Sequence, residues 1–242
     1  FSMEAFYYAS DPHAALEEVA RVLRPGGTFH CAVNYYEENV HSHAWDELVE
    51  VPMTRWSGPE YREAFREACE RPLPYAVRVN TIKADRDRVC AAFDEEGIAY
   101  EATDWNPDLL TLEGKAGRTW PYFLGWVHGQ EAVSALPATV LDPQPGDRAW
   151  DACAAPGSKT TQLAALMGDE GTLVGNDNNL GRLSALRHNA ERLGVTNLVV
   201  TNQDARNFSL KPLAFESFDR AIVDAPCSCE GTCRKNPTAL DD

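Results

Sequence analysis

The sequence predicts an α/β chain: a mostly parallel, doubly wound sheet with a small α/β element before it. Three observations lead there. From residue 129 onward, strand-like apolar runs alternate with helix-like stretches, the pattern of a parallel sheet. An acid stands at or just past the end of each run, at Asp151, Asp177, Asp204 and Asp224. Earlier, Arg71-Pro72-Leu73-Pro74 breaks the chain and sets off a shorter α/β pattern. The expected divisions are 1–68, 69–127 and 128–242.

Taken in order, 11–23 reads as a helix. Asp11 can cap it, Pro12 suits its first turn, and Leu16, Val19, Ala20 and Leu23 share a face. Pro25-Gly26-Gly27 stops it, and 28–33 reads as a buried strand; two weaker helices follow near 43–50 and 58–69. A strand over 75–83, a helix near 85–96 and a strand near 98–104 make the small element. Trp105, Trp120, Tyr122, Phe123 and Trp126 then give an aromatic connector, expected to pack in a core, with a stacking surface for bases as the rival reading. A helix over 130–140 leads into a strand at 148–151. A loop and a helix closed by Gly168 come next, then a strand at 172–175 and a helix at 180–193 closed by Gly194. Strands at 197–201 and 220–224 complete the pattern.

At 242 residues with 44% apolar content, the chain can build a substantial core. It holds no run of about 18 apolar residues and no charged-then-apolar leader, so neither a membrane span nor a signal peptide is expected. Seven cysteines, an odd number in a chain of this size, point to a reducing cytoplasm rather than a disulfide framework. The net charge of −15 argues against binding phosphates by charge. Only five of the 22 basic residues are lysine, which suits a halophilic source where salt screens charges within roughly 3 Å. RNA binding there would rest on stacking and shape.

Ligands of an open α/β sheet bind outside the carboxyl ends of its strands. Four carboxylates there suit a ligand with a positive centre and a ribose, and S-adenosylmethionine has both. The loop Cys153-Ala154-Ala155-Pro156-Gly157-Ser158-Lys159 joins the first of these strands to its helix, and its small residues allow close backbone approach. It lacks the glycine spacing of a P-loop and of a dinucleotide fingerprint. Cys227, Cys229 and Cys233 have no histidine beside them and do not make a standard zinc set, so no metal is expected.

At these residues the chain resembles the Sun-type (Nol1/Nop2/Sun) RNA cytosine-C5 methyltransferases, over about 65–242. Asp151 to Thr160 resembles their cofactor loop, Asp224 to Thr232 their fourth motif, and Arg78 to Lys83 the strand placed beside the RNA; Arg234-Lys-Asn-Pro237 fits the segment just after the fourth motif. The resemblance implies a Rossmann-like class I methyltransferase acting on tRNA or rRNA. It implies that Cys153, Ala154, Ala155, Pro156, Gly157, Ser158 and Lys159 line the cofactor site. Asp177 would take the ribose with Arg182 nearby, Asp204 would lie by the adenine, and Asp224 near the methyl donor and cytosine. Arg78 and Asn80 would meet the substrate. Asp224, Lys159 and Cys227 are the catalytic candidates, with Cys227 assisting product release. Cys227 as the residue attacking C6, as in DNA cytosine methylases, is the variant reading.

The family's nucleophile is a different cysteine, on a later Thr-Cys strand that this sequence does not contain before Asp242. A C-terminally truncated family member is therefore expected, and a non-catalytic cofactor- or RNA-binding remnant is the alternative. Residues 1–65 resemble the C-terminal part of another class I methyltransferase, either as an accidental fusion or as a segment that docks beside the 220–224 strand and completes the sheet. Laid over the missing strand, the nucleophile position falls near Asn34, with Cys31 three residues early.

Overall fold

The computed structural model describes residues 23–28, 74–103, 105–210 and 217–224, the first stretch as backbone only. Two sheets organise them. The small one is antiparallel, built from β2 (Tyr75–Val79), β3 (Tyr100–Ala102), β4 (Leu109–Leu112) and β5 (Val127–Gly129) in the order β3-β4-β2-β5. One face is covered by α1 (Arg86–Glu95), which Asp85 caps by accepting from the Arg88 N–H at 2.8 Å. Val77, Val89, Phe93, Leu110 and Val127 form its core. The connector is thus partly strand: β4 comes from it, along with the single turn α2 (Trp120–Phe123), and β5 follows directly. β5 also crosses the expected division at 127.

The second sheet has five strands, all parallel: β1 (Leu23–Thr28), β6 (Arg148–Asp151), β7 (Thr172–Asn176), β8 (Leu198–Thr201) and β9 (Phe218–Ile222), in the order β1-β9-β6-β7-β8. Between them run α3 (Ala132–Leu141), α4 (Ser158–Leu166) and α5 (Leu180–Leu193). Leu141, Leu163, Met167, Leu173 and Ile222 seal α3 and α4 against the strands, and Trp150 stacks on Phe208 at 4.9 Å. Burying each such side chain is worth roughly 1.5–3 kcal/mol.

β1 corrects the sequence reading. Pro25-Gly26-Gly27 lies inside this strand rather than between a helix and a strand over 28–33. The pairing with β9 slips between Leu23↔Phe218 and Thr28↔Arg220. Proline and glycine are tolerated at such an irregular edge, where ladder bonds are already broken. The readings at 11–22 and 29–69 lie outside the described residues.

Polar residues hold the two sheets together. Arg78 donates from Nε to Gln130 Oε1 at 2.9 Å and from Nη2 to Thr161 Oγ1 at 3.0 Å. Asn80 Nδ2 donates to the carbonyls of Gly125 and Leu193, at 2.8 and 2.7 Å. Both are buried, at 2% and 0% exposure. The structure thus places both residues, expected to meet the substrate, inside the protein: the Arg78 guanidinium and the Asn80 Nδ2 bond there, as buried donors must, while Asn80 Oδ1 is buried without a hydrogen-bond partner among the described residues.

Candidate functional site

Three of the four strand-end acids converge. Asp151, the last residue of β6, is buried and accepts from Thr160 Oγ1 at 2.7 Å and from the Cys153 N–H at 3.3 Å. Burial pushes its carboxyl up to about 6, reinforced by the Asp224 carboxylate and opposed by the Thr160 bond. Asp177 follows β7 and is also buried. It accepts from the N–H groups of Asn179 at 2.9 Å and Ala155 at 3.3 Å. Arg182 lies across it, with Nη1 3.5 Å from Asp177 Oδ2 and Nη2 donating to the Ala155 carbonyl. Asp224, two residues past β9, keeps 28% of its side chain exposed and accepts from Lys159 Nζ at 2.7 Å.

The loop between β6 and α4 is shaped by Gly157. Its φ of 111° is open to glycine, and a Cβ there would stand 2.9 Å from Leu186 Cδ1. Pro156 is held through its carbonyl by Asn189 Nδ2 at 2.9 Å, while Ala154 and Ala155 are buried. Cys153 reports the field of the site. Its thiol is pushed up to about 12 by burial and then by Asp151, Asp177 and Asp224, against the pull of Arg182. That upward push disfavours the thiolate form that a nucleophilic cysteine needs.

Asp204 follows the strand-end segment of β8, next to Gln203. It pairs with Arg206 at 2.6 Å on the surface, and that bond holds its carboxyl below the ordinary range. Two contributors escaped the sequence reading. Ser134 Oγ on α3 takes a second bond from Lys159 Nζ at 3.2 Å. Asn176 Nδ2 donates to the carbonyls of Ala152 and Gln203, at 3.1 and 3.0 Å, tying strand ends together. The packing expectation for the aromatics holds only in part. Trp126 and Tyr122 are half-buried beneath Arg88 and Arg192, at 4.1 and 4.2 Å. Trp105, in the bend before β4, and Trp120 and Phe123, on the single-turn α2, are 45%, 65% and 72% exposed. Cys227, Cys229 and Cys233 lie outside the described residues.

Comparison with known proteins matches this geometry to a family. Residues 138–240 match the family described as 16S rRNA methyltransferase RsmB/F, and 48–117 match the ferredoxin-like domain of the same methyltransferases. Residues 1–31 match a general methyltransferase domain. The ribosomal RNA small subunit methyltransferase F of Shewanella loihica is 38% identical over 187 residues, covering 74% of this chain and 38% of that protein. The chain thus spans well under half the length of this curated relative. Among solved structures, a methyltransferase homolog protein from Pyrococcus horikoshii is 29% identical with a TM-score of 0.65, covering 92% of this chain and 65% of that one. NSun6 from Pyrococcus horikoshii shares the fold, with a TM-score of 0.66 at 19% identity and coverage of 72% and 68%. The fold is that of a Rossmann-like class I methyltransferase.

Proposed function

We propose that this chain binds S-adenosylmethionine and serves methyl transfer to C5 of a cytosine in rRNA, as the matches of residues 138–240 to the RsmB/F methyltransferase family and of 48–117 to its ferredoxin-like domain support. The observation that carries the reading is that three strand-end acids hold the 153–159 loop: Asp151 accepts from the Cys153 N–H, Asp177 from the Ala155 N–H and Asp224 from Lys159 Nζ. With Lys159 and Arg182 as the counter-charges named beside them, the acids are in excess, and that field suits a cation. The donor set therefore fits the cofactor, which when bound supplies a methyl group on a sulfonium.

Each residue then has a task. Loop residues 153–159 offer backbone at close range. Asp177 accepts ribose hydroxyls, with Arg182 shifting from its carboxylate. Cytosine C5 becomes nucleophilic when a thiolate, which in this chain Cys227 would have to supply, adds to C6 and N3 gains a proton. After C5 takes the methyl group, a base removes the C5 proton and the C6–S bond breaks to release the thiolate. Asp224, held by Lys159, is assigned to keep that proton at N3, and Cys227 to release the methylated base. Trp120 and Phe123 offer exposed rings on which bases can stack. The acidic, lysine-poor composition suits work in a cytoplasm of high salt.

The test is methyl transfer in molar potassium chloride: the chain, S-adenosylmethionine and unmodified rRNA, with 5-methylcytosine read by mass spectrometry. Product that is lost in Cys227→Ala supports the full reading. Cofactor binding without product reduces the chain to a binding remnant, and absence of cofactor binding overturns the proposal.

A further inference from the structure

We propose that His128, on the last strand of the small sheet, is a positioning residue for the cofactor loop, fixing the direction of the Ser158 hydroxyl where the loop enters α4. The inference rests on the cofactor reading above and extends it to a side chain outside the parallel sheet.

A neutral imidazole donates from one nitrogen and accepts at the other, and its surroundings choose which. Here the choice is forced. Arg192 Nη2 lies 3.0 Å from His128 Nδ1. A guanidinium keeps its protons and has no acceptor, so Nδ1 must be bare. The ring hydrogen is therefore on Nε2, which stands 3.1 Å from Ser158 Oγ and donates to it. The serine receives this bond and keeps its own hydrogen as a directed donor.

The relay is rigidly held. Arg192 Nη1 donates to the carbonyls of Tyr122 at 2.7 Å and Val127 at 3.0 Å, and its guanidinium lies 4.2 Å over the Tyr122 ring. His128 is 6% exposed and pairs across the sheet with Arg78. Burial, with Arg78 and Arg192 on either side, lowers its proton affinity to about 3, so the ring stays neutral at working pH. Ser158 opens α4 directly after Gly157, and the next residue is the Lys159 that meets Asp224. An acceptor carried by a bound cofactor at this end of the loop would meet a hydroxyl whose hydrogen is already turned away from His128, with less rotor entropy to lose.

Isothermal titration of the 242-residue chain with S-adenosylmethionine in molar potassium chloride tests this, with thermal melts alongside. His128→Ala is expected to weaken binding about tenfold, a loss of the size expected for one well-placed hydrogen bond. Ser158→Ala should do the same, and the double variant should lose no more than either alone. His128→Gln, whose amide N–H can reach Ser158, should recover most of the affinity. Additive losses, unchanged affinity in His128→Ala, or a glutamine variant no better than alanine would each overturn the proposal. A purely structural role would lower the melting temperature and treat glutamine and alanine alike. Failure of the unaltered chain to bind the cofactor would remove the cofactor reading itself, together with this one.

Discussion

Replacing Gly157 by alanine should destabilise the chain through two separable causes. The backbone at φ 111° strains an L-residue by roughly 1–3 kcal/mol. The new Cβ also lies 2.9 Å from Leu186 Cδ1 and 3.4 Å from Leu186 Cα. Leu186 is wholly buried and cannot swing clear, and overpacking of this kind costs ~1–3 kcal/mol. The combined loss is about 2–6 kcal/mol, which for a chain of this size lowers the melting temperature by roughly 2–4 °C per kcal/mol. Urea and thermal melts in molar salt measure it. In a Leu186→Ala background the 2.9 Å contact with Cδ1 disappears while the approach to the Cα and the backbone strain remain, so the cost of Gly157→Ala should shrink by about 1–2 kcal/mol. A melting temperature within about 2 °C of the unaltered chain, or an equal cost in both backgrounds, would refute this account.

Three further outcomes are expected. Asp151 holds its proton up to about 6 when folded but releases it near 3.9 when unfolded, so the folded state binds more protons between those values. Stability therefore falls as pH rises through that window, by at most about 1.4 kcal/mol per pH unit, and Asp151→Asn should flatten the slope in urea melts. Lys159→Met removes the cation from Asp224 and from Ser134 Oγ, and should lower methyl-transfer kcat by roughly a hundredfold while the fold persists, as circular dichroism would show. Trp120→Ala with Phe123→Ala should weaken RNA binding by ~1–3 kcal/mol per lost stack in fluorescence anisotropy, without lowering the melting temperature, because both rings are exposed.

Local signals made the parallel sheet legible. The strand over 148–151 and the helix over 180–193 form where the sequence places them, since a Gly-bearing loop follows one and Gly194, at φ 75°, closes the other. The carboxylates at 151, 177 and 224 could be aligned because each follows an apolar run of the same sheet. What stayed hidden depends on distant partners. β4 and β5 are four and three residues long and are held by their neighbours, β4 between β3 and β2 and β5 against β2. Arg78 and Asn80 read as surface residues by type, and they are buried because their partners Thr161 and Leu193 lie on helices far along the chain. Ser134 and Asn176 carry no motif, and only their distances to Lys159 and Ala152 reveal them.

The pairing of β1 with β9 also has a consequence in time. Almost the whole chain must leave the ribosome between Leu23 and its partner Phe218. At ordinary synthesis rates that interval is on the order of tens of seconds. The earliest strand of this sheet must therefore wait, unpaired, for the latest one, and so distant a contact is slow to close. During that wait other chains can bind to its open edge, so correct assembly of the crevice wall depends on how quickly synthesis is completed.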